Sequence, residues 1–316
     1  MKNLTIVLTV FVLVFTMGLS AQDLNDAGKA YNQGIELTKE NKTMEAIEKY
    51  QKCANIAAEL GDVGEGLKSK AETQISSLYM KLGIDAYKAK EYDTAVSLFI
   101  LSADYSSAMG NAENTAKADN YVATTYVAKG NSLYKAKKYD DPLESFTKAI
   151  DYNPEYFKAY YGQAICYNKS GKTEEFEAAV NKVVELGGED KTVEKAKRLA
   201  GTYFLNLSAE AIKKESFREA AMMAKKSIEY NYLEPTAYYY QALSCNNFES
   251  WDEAVKAAEL GMKAEKGDKS NLFFELGRAY EGKGDAEKAC EAYASVTGGP
   301  NVDAANYQRT TVLNCN

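Results

Sequence analysis

Apolar and small side chains recur along this chain in one register. A small residue is followed twelve positions later by a second anchor, sixteen positions later by a bulky apolar residue and nineteen positions later by another small one. The clearest copies are Gly34/Ala46/Tyr50/Cys53, Gly83/Ala95/Phe99/Ser102, Gly130/Pro142/Phe146/Ala149 and Gly277/Ala289/Tyr293/Val296. Looser copies are Ala164/Phe176/Val180/Val183, Ser208/Ala220/Ala224/Ser227 and Ala242/Ala254/Ala258/Gly261. In all but the first, an aromatic stands four residues before the small one: Tyr79, Tyr126, Tyr160, Phe204, Tyr238 and Phe273. Positions four apart share a helix face, so ring and small residue form one packing stripe. Each copy therefore predicts two helices joined by a short turn, the small residue letting the second helix approach closely. Recurrence at this period fixes an architecture before any local motif is considered.

These residues resemble the tetratricopeptide repeat family: the Gly or Ala, the Ala twelve on, the Tyr or Phe after it, and Asn153-Pro154 closing one unit. The match is strongest over Leu272 to Val296, where Phe273, Leu276, Gly277, Tyr280, Gly284, Ala289 and Tyr293 all fall at family spacings. The resemblance runs from about Ala27 to Val296. It implies an all-α, right-handed superhelical solenoid of about seven helix-turn-helix hairpins, with Gly34, Ala46, Gly83, Ala95, Gly130, Ala220, Ala254, Gly277 and Ala289 as its structural positions.

Successive small residues are separated by 49, 47, 34, 44, 34 and 35 positions. The three long intervals carry helical spacing, with Leu67, Ala71, Gln74, Leu78 and Leu82 in one and Ala116, Asn120, Ala123 and Val127 in another. They predict long first helices that begin after Gly61 to Gly66, after Gly110 to Asn114, and at about Lys191. Acidic residues where second helices begin, as in Lys90-Glu-Tyr-Asp93 and Ser250-Trp-Asp-Glu253, are expected to cap free N–H groups and to suit the helix dipole. Pro142 falls in a first helical turn, where its missing N–H costs little. Phe176 replaces a small residue; it is expected to splay or shift its hairpin and, with Gly187-Gly188, to mark a bend near 187–190. Thr297-Gly-Gly-Pro300 stops the last hairpin, and residues 297–316 are expected to supply a capping helix, since a solenoid must cover its terminal apolar face.

Composition narrows the function. The chain has 38 Lys+Arg against 45 Asp+Glu, so its overall balance does not attract nucleic acid. Histidine is absent, which removes the commonest general base near neutral pH and the commonest metal ligand. Residues 1–21 read as a secretory signal: Lys2 precedes an apolar run from Leu4 to Phe15, and Gly18-Leu-Ser-Ala21 is a small-residue cleavage site. That run is shorter than the roughly 20 residues of a spanning helix. Cleavage after Ala21 predicts an exported protein, periplasmic or extracellular, with the solenoid over 22–296 and no spanning segment in the mature chain. Of five cysteines, Cys53 and Cys245 occupy packing positions, and Cys290 with Cys315 is the one sensible disulfide pair.

In the family, residues one after the small position and three before it line the concave groove. Carried over, these are Tyr31, Ile35, Met80, Ile84, Val127, Asn131, Tyr161, Ile165, Leu205, Ala209, Tyr239, Leu243, Phe274 and Arg278, with Lys158 alongside. Such a lining suits an extended peptide or amphipathic helix with apolar anchors, although the same residues could simply pack on the neighbouring hairpin. A Lys/Asn carboxylate clamp of the kind some members use is not complete, because only Asn131 and Lys158 stand at comparable positions. The resemblance therefore implies a non-enzymatic scaffold that holds a protein or peptide, without cofactor or metal, in a cell-envelope complex. A rival reading makes Tyr160, Tyr161, Tyr238, Tyr239 and Tyr240 platforms for carbohydrate or cell-wall polymer. Adjacent acids such as Glu174-Glu175 and Asp140-Asp141 point in different directions on a helix and do not form an acid–base couple.

Overall fold

The computed structural model describes residues 22–136, 140–231 and 233–315, the side chains at 140 and 141 excepted. The expected signal segment, Met1 to Ala21, lies outside the described residues, as do the side chains of the Asp140-Asp141 pair. Among the described residues the fold is all-α, with no strand. The chain divides into two compact units, residues 1–166 and 167–316.

The first unit contains α1 (22–39), α2 (Thr43–Glu59), a short 3₁₀ turn (Gly61–Val63), α3 (Glu65–Lys88), α4 (Tyr92–Ala108), α5 (Ala112–Lys135), α6 (Asp140–Tyr152) and most of α7 (Phe157–Ser170). The second holds the end of α7, then α8 (Thr173–Leu186), α9 (Lys191–Lys213), α10 (Phe217–Tyr230), α11 (Pro235–Asn247), α12 (Trp251–Ala264), α13 (Ser270–Gly282), α14 (Ala286–Ala294), α15 (Val302–Tyr307) and a π turn (Gln308–Val312). Odd-numbered helices from α1 to α13 are the first helices of the hairpins and even-numbered ones the second. In the second unit first helices also pack on one another, α9 on α11 and α11 on α13.

The recurrent register has a direct steric meaning. A Cβ built on Gly34 would lie 2.7 Å from the Tyr50 ring, and on Gly83, Gly130 and Gly277 it would lie 2.6, 2.8 and 2.6 Å from Phe99, Phe146 and Tyr293. The bulky residue sixteen positions on thus lies flat on the small one, which a side chain would displace. The anchor at twelve closes the same contact: Ala46, Ala95, Ala220, Ala254 and Ala289 have no exposed surface, and Ser208 Oγ donates to the Ala220 carbonyl at 2.8 Å. The small residue at nineteen faces the first helix two turns before that helix's own small residue. Ser102 Oγ donates to the Ser76 carbonyl at 2.9 Å, and Ser227 Oγ to the Gly201 carbonyl at 2.8 Å.

Long first helices occur where expected, as α3 and α5 with 24 residues each and α9 with 23. In α3 the expected stripe is right, since Ala71 and Leu78 are buried and Leu67, Gln74 and Leu82 half-buried. In α5 it holds only in the second half, at Ala123 and Val127. Ala116 and Asn120 are exposed, and the buried set is Ala118, Val122, Ala123, Thr125, Val127 and Gly130. Phe176 is fully buried, its ring centroid 4.4 Å from Tyr203 and 6.3 Å from Phe204. Within the second unit Gly187 closes α8 and Gly188 takes a φ of 52°.

The hairpin turns use the backbone rather than side-chain caps. Seven residues after the small one the chain enters the left-handed region: Asn41 (58°), Lys90 (64°), Gly171 (70°), Glu215 (57°), Glu249 (63°) and Gly284 (79°). The next N–H reaches back five residues, as from Glu91 to Ala86, Ser216 to Ala211 and Ser250 to Cys245. This is the αL helix stop that satisfies the last carbonyls. Among the second helices whose caps are described, only α14 has a side-chain cap, Asp285 accepting from Lys288 N–H at 3.2 Å. The expected acidic caps are therefore replaced by the preceding turn. Their carboxylates sit inside the first turn, where the dipole favours them, and Asp93 and Asp252 pair with Lys129 and Lys283.

At the C-terminus α15 buries Ala305 beside Tyr293 and Val296. Cys290 and Cys315 form a disulfide with Cα atoms 5.8 Å apart, fastening the cap to α14.

Candidate functional site

In the first helices whose small residue is glycine a ring lies on that glycine, and the residues immediately around the small positions are held at the margin of the core. Tyr31, Ile35, Met80, Ile84, Tyr161, Ile165, Leu205, Ala209, Tyr239, Leu243, Phe274 and Arg278 are all half-buried. Tyr31 and Ile35 pack at the edge of the first core cluster, and Met80 and Ile84 at the edge of the next. These are apolar side chains in partial contact with water at repeat spacing. Val127 departs from the set: it is buried in the core with Ala123, Phe146, Ala149 and Ala159. Asn131 and Lys158 are exposed, and the Lys158 ammonium lies 5.7 Å from the centroid of Phe157.

The tyrosines of the rival reading do not form one platform. Tyr238 is a core residue, with 7% of its surface exposed. Tyr239 and Tyr240 are half-buried and tilted against each other at 5.7 Å.

A second feature combines recurrent positions with residues of the cap. In the second unit, Trp251, Phe274, Arg278, Glu281, Tyr293 and Gln308 line a cleft of about 440 Å³. One face of the Trp251 indole rests on Gly282, where an added Cβ would come within 2.5 Å. Behind the cleft Glu275 is 2% exposed. Its Oε2 accepts from Asn246 Nδ2 at 2.8 Å and from Arg278 Nη1 at 2.9 Å. Burial pushes the Glu275 carboxyl above its ordinary value, with Arg278 and then Asn246 pulling the other way. The Tyr293 hydroxyl donates to Glu281 at 2.7 Å, and burial followed by that carboxylate raises its pKa. Repeat logic gives no hint of this cleft. Asn32 and Lys81, which occupy the register of Glu275 in earlier hairpins, are exposed, and Gln308 belongs to the cap.

No group of His, Cys, Asp or Glu among the described residues could hold a metal ion. No described helix is long and apolar enough to cross a membrane.

The fold and its register define a helical-hairpin repeat protein. Tetratricopeptide repeat models match residues 127–191 and 270–298, so the chain carries tetratricopeptide repeats in those two stretches. Solved structures to which it is similar include YrrB, described as a TPR protein with an unusual peptide-binding site, at 21% identity and a TM-score of 0.36 over 61% of this chain and 89% of that one. The MamA protein is 18% identical with a TM-score of 0.37, over 60% and 94%. A tetratricopeptide repeat protein from Parabacteroides merdae is 12% identical with a TM-score of 0.28, over 92% and 100%. No curated protein sequence matches this chain.

Proposed function

We propose that this protein is an exported, non-enzymatic scaffold that holds a protein or peptide against the face built by its first helices, within a cell-envelope complex. The observation that carries the reading is the half-buried apolar residues at repeat spacing within each unit, Ile35, Met80, Ile84 and Ile165 in the first and Leu205 and Leu243 in the second. Such side chains gain from being covered, and their repeat spacing offers anchors to an extended or helical partner. Tetratricopeptide folds serve as protein-interaction scaffolds, which agrees with that use. Export is supported by the signal-like run ahead of Ala21 and by the Cys290–Cys315 disulfide, since such bonds persist in oxidising compartments.

The test is crosslinking and affinity capture from intact cells, comparing the wild type with a Tyr161→Asp/Leu205→Asp variant. Loss of a defined partner from the variant, with helicity unchanged, is the expected result. Equal capture by both proteins removes the reading. Fractionation with N-terminal sequencing checks export; a cytoplasmic protein that still begins at Met1 would refute it.

A further inference from the structure

We infer that the cleft between α12, α13, α14 and the C-terminal cap is a binding site for a neutral saccharide unit. Its volume of about 440 Å³ lies within the roughly 300–1,000 Å³ of small-molecule sites. Trp251, Phe274 and Tyr293 supply aromatic surface, while Arg278, Glu281 and Gln308 supply planar polar groups.

Arg278 and Glu281 are fixed before any ligand arrives. Arg278 is held by one bond from Nη1 to Glu275, itself almost wholly buried and gripped by Asn246. This leaves most of the guanidinium donors without a partner among the described residues. Glu281 already accepts from Tyr293 and keeps further acceptor capacity. Gln308 Oε1 is shielded from solvent and has no hydrogen-bond partner, so it gains a bond when its side chain, which lines the cleft, turns to meet a donor. The cap that carries Gln308 is folded back through Leu313 N–H to the Gln308 carbonyl at 2.9 Å and is closed by the Cys290–Cys315 bridge.

The chemistry of the occupant follows by comparing what each class would leave unpaired. An apolar side chain would strip water from Arg278, Glu281 and Gln308 without replacing its hydrogen bonds. An anion would meet Glu281, and the charge of Arg278 is already opposed by Glu275. A cation would meet Arg278. A pyranose has hydroxyls that each donate and accept: they can accept from Arg278 and donate to Glu281 and Gln308 Oε1, while the ring's C–H face lies against aromatic surface. This site needs no protein partner and does not rest on the first-helix reading, although Phe274 and Arg278 belong to both sets.

Trp251 is the sole tryptophan, so intrinsic emission reports on the cleft directly. The whole protein is titrated with glucose, N-acetylglucosamine and their β-1,4-linked dimers, and is separately tested for retention on insoluble cellulose, chitin and peptidoglycan. A saturable change in Trp251 emission with at least one sugar is expected, with affinity at least tenfold weaker in both Gln308→Leu and Arg278→Lys and with helicity unchanged. The lysine keeps a positive partner for Glu275 while removing the guanidinium fork. Response to free sugar together with retention on the matching polymer identifies a glycan end as the source, and response without retention identifies a free saccharide. The proposal is overturned by no saturable response to any of these sugars, by a response that both variants retain, or by emission that responds to acetyl-Leu-Phe-amide and to none of the sugars.

Discussion

Replacing Lys90, Glu215 and Glu249 by glycine is expected to stabilise this protein, although all three are exposed and none is in the core. Each sits at the left-handed turn between the two helices of a hairpin, with φ of 64°, 57° and 63°. An L-residue there costs roughly 1–2 kcal/mol. Glycine removes that strain but loses about 0.5–1 kcal/mol more backbone entropy on folding. The net gain is therefore about 0.5–1 kcal/mol per site, and the three lie in separate hairpins, so about 2 kcal/mol is expected together. None of these side chains makes an ion pair or side-chain hydrogen bond among the described residues, so little is lost by removing them. Gly171 and Gly284 provide the converse: their φ is 70° and 79°, and a Cβ on either would meet no atom within 4 Å. Alanine at those two positions isolates the backbone term and should cost about 0.5–1 kcal/mol each, the same net difference with its sign reversed. Urea unfolding followed by far-UV circular dichroism measures the effect, with m-values checked for constancy. An unchanged or lowered midpoint in the triple glycine variant, together with neutral Gly171→Ala, would refute the reasoning.

Four other outcomes follow from the same structure. Gly83→Ala should cost about 1–3 kcal/mol by overpacking, because its Cβ would lie 2.6 Å from Phe99; Phe99→Leu in the same chain should recover part of that loss, and strict additivity in the double-mutant cycle would contradict the contact. Cys315→Ala should remove about 3.5 kcal/mol by the chain-entropy estimate for the 25-residue separation from Cys290, read as a lower melting temperature that reductant lowers in the wild type but not in the variant. Deleting residues 301–316 should lower the melting temperature further, and an unchanged curve would show that the cap covers nothing. For Glu275 the folded carboxyl is raised above 4.5, so the folded state binds the proton more tightly, and this group's contribution is greatest at low pH and lost as pH rises through the raised value. Glu275→Gln should flatten that part of the stability profile above pH 4.5, and a profile identical to wild type would show the site is not buried as described.

Much of the hairpin architecture could be read before the structure, because it rests on contacts fixed by sequence spacing. Gly34 and Tyr50 meet for the reason that Gly277 and Tyr293 do, and the long intervals became α3, α5 and α9 because their spare residues keep helical spacing. The turns were less legible. Glycine marks the left-handed position at 171 and 284, but Lys90, Glu215 and Glu249 occupy it elsewhere and read as ordinary helix entry. The acidic residues beside them looked like caps, yet the backbone turn already satisfies the helix ends. Val127 was placed on the binding face by register alone; the burial of its turn against Phe146 and Ala159 depends on the next hairpin. The C-terminal cleft was illegible because Trp251 and Arg278 stand at different repeat positions, Gln308 lies outside the repeats, and they meet only through tertiary packing and the closed cap.

The central claim is that a protein partner lies against the first helices. Site-specific photocrosslinking in living cells tests it most directly, with the photoreactive residue placed at Ile84 or Leu205 on first helices and at Met44 or Met222 on second helices, both of the latter exposed. The account predicts one defined protein adduct from the first-helix positions and none from the second-helix positions. Adducts arising only from Met44 and Met222, or from no position at all, would contradict it.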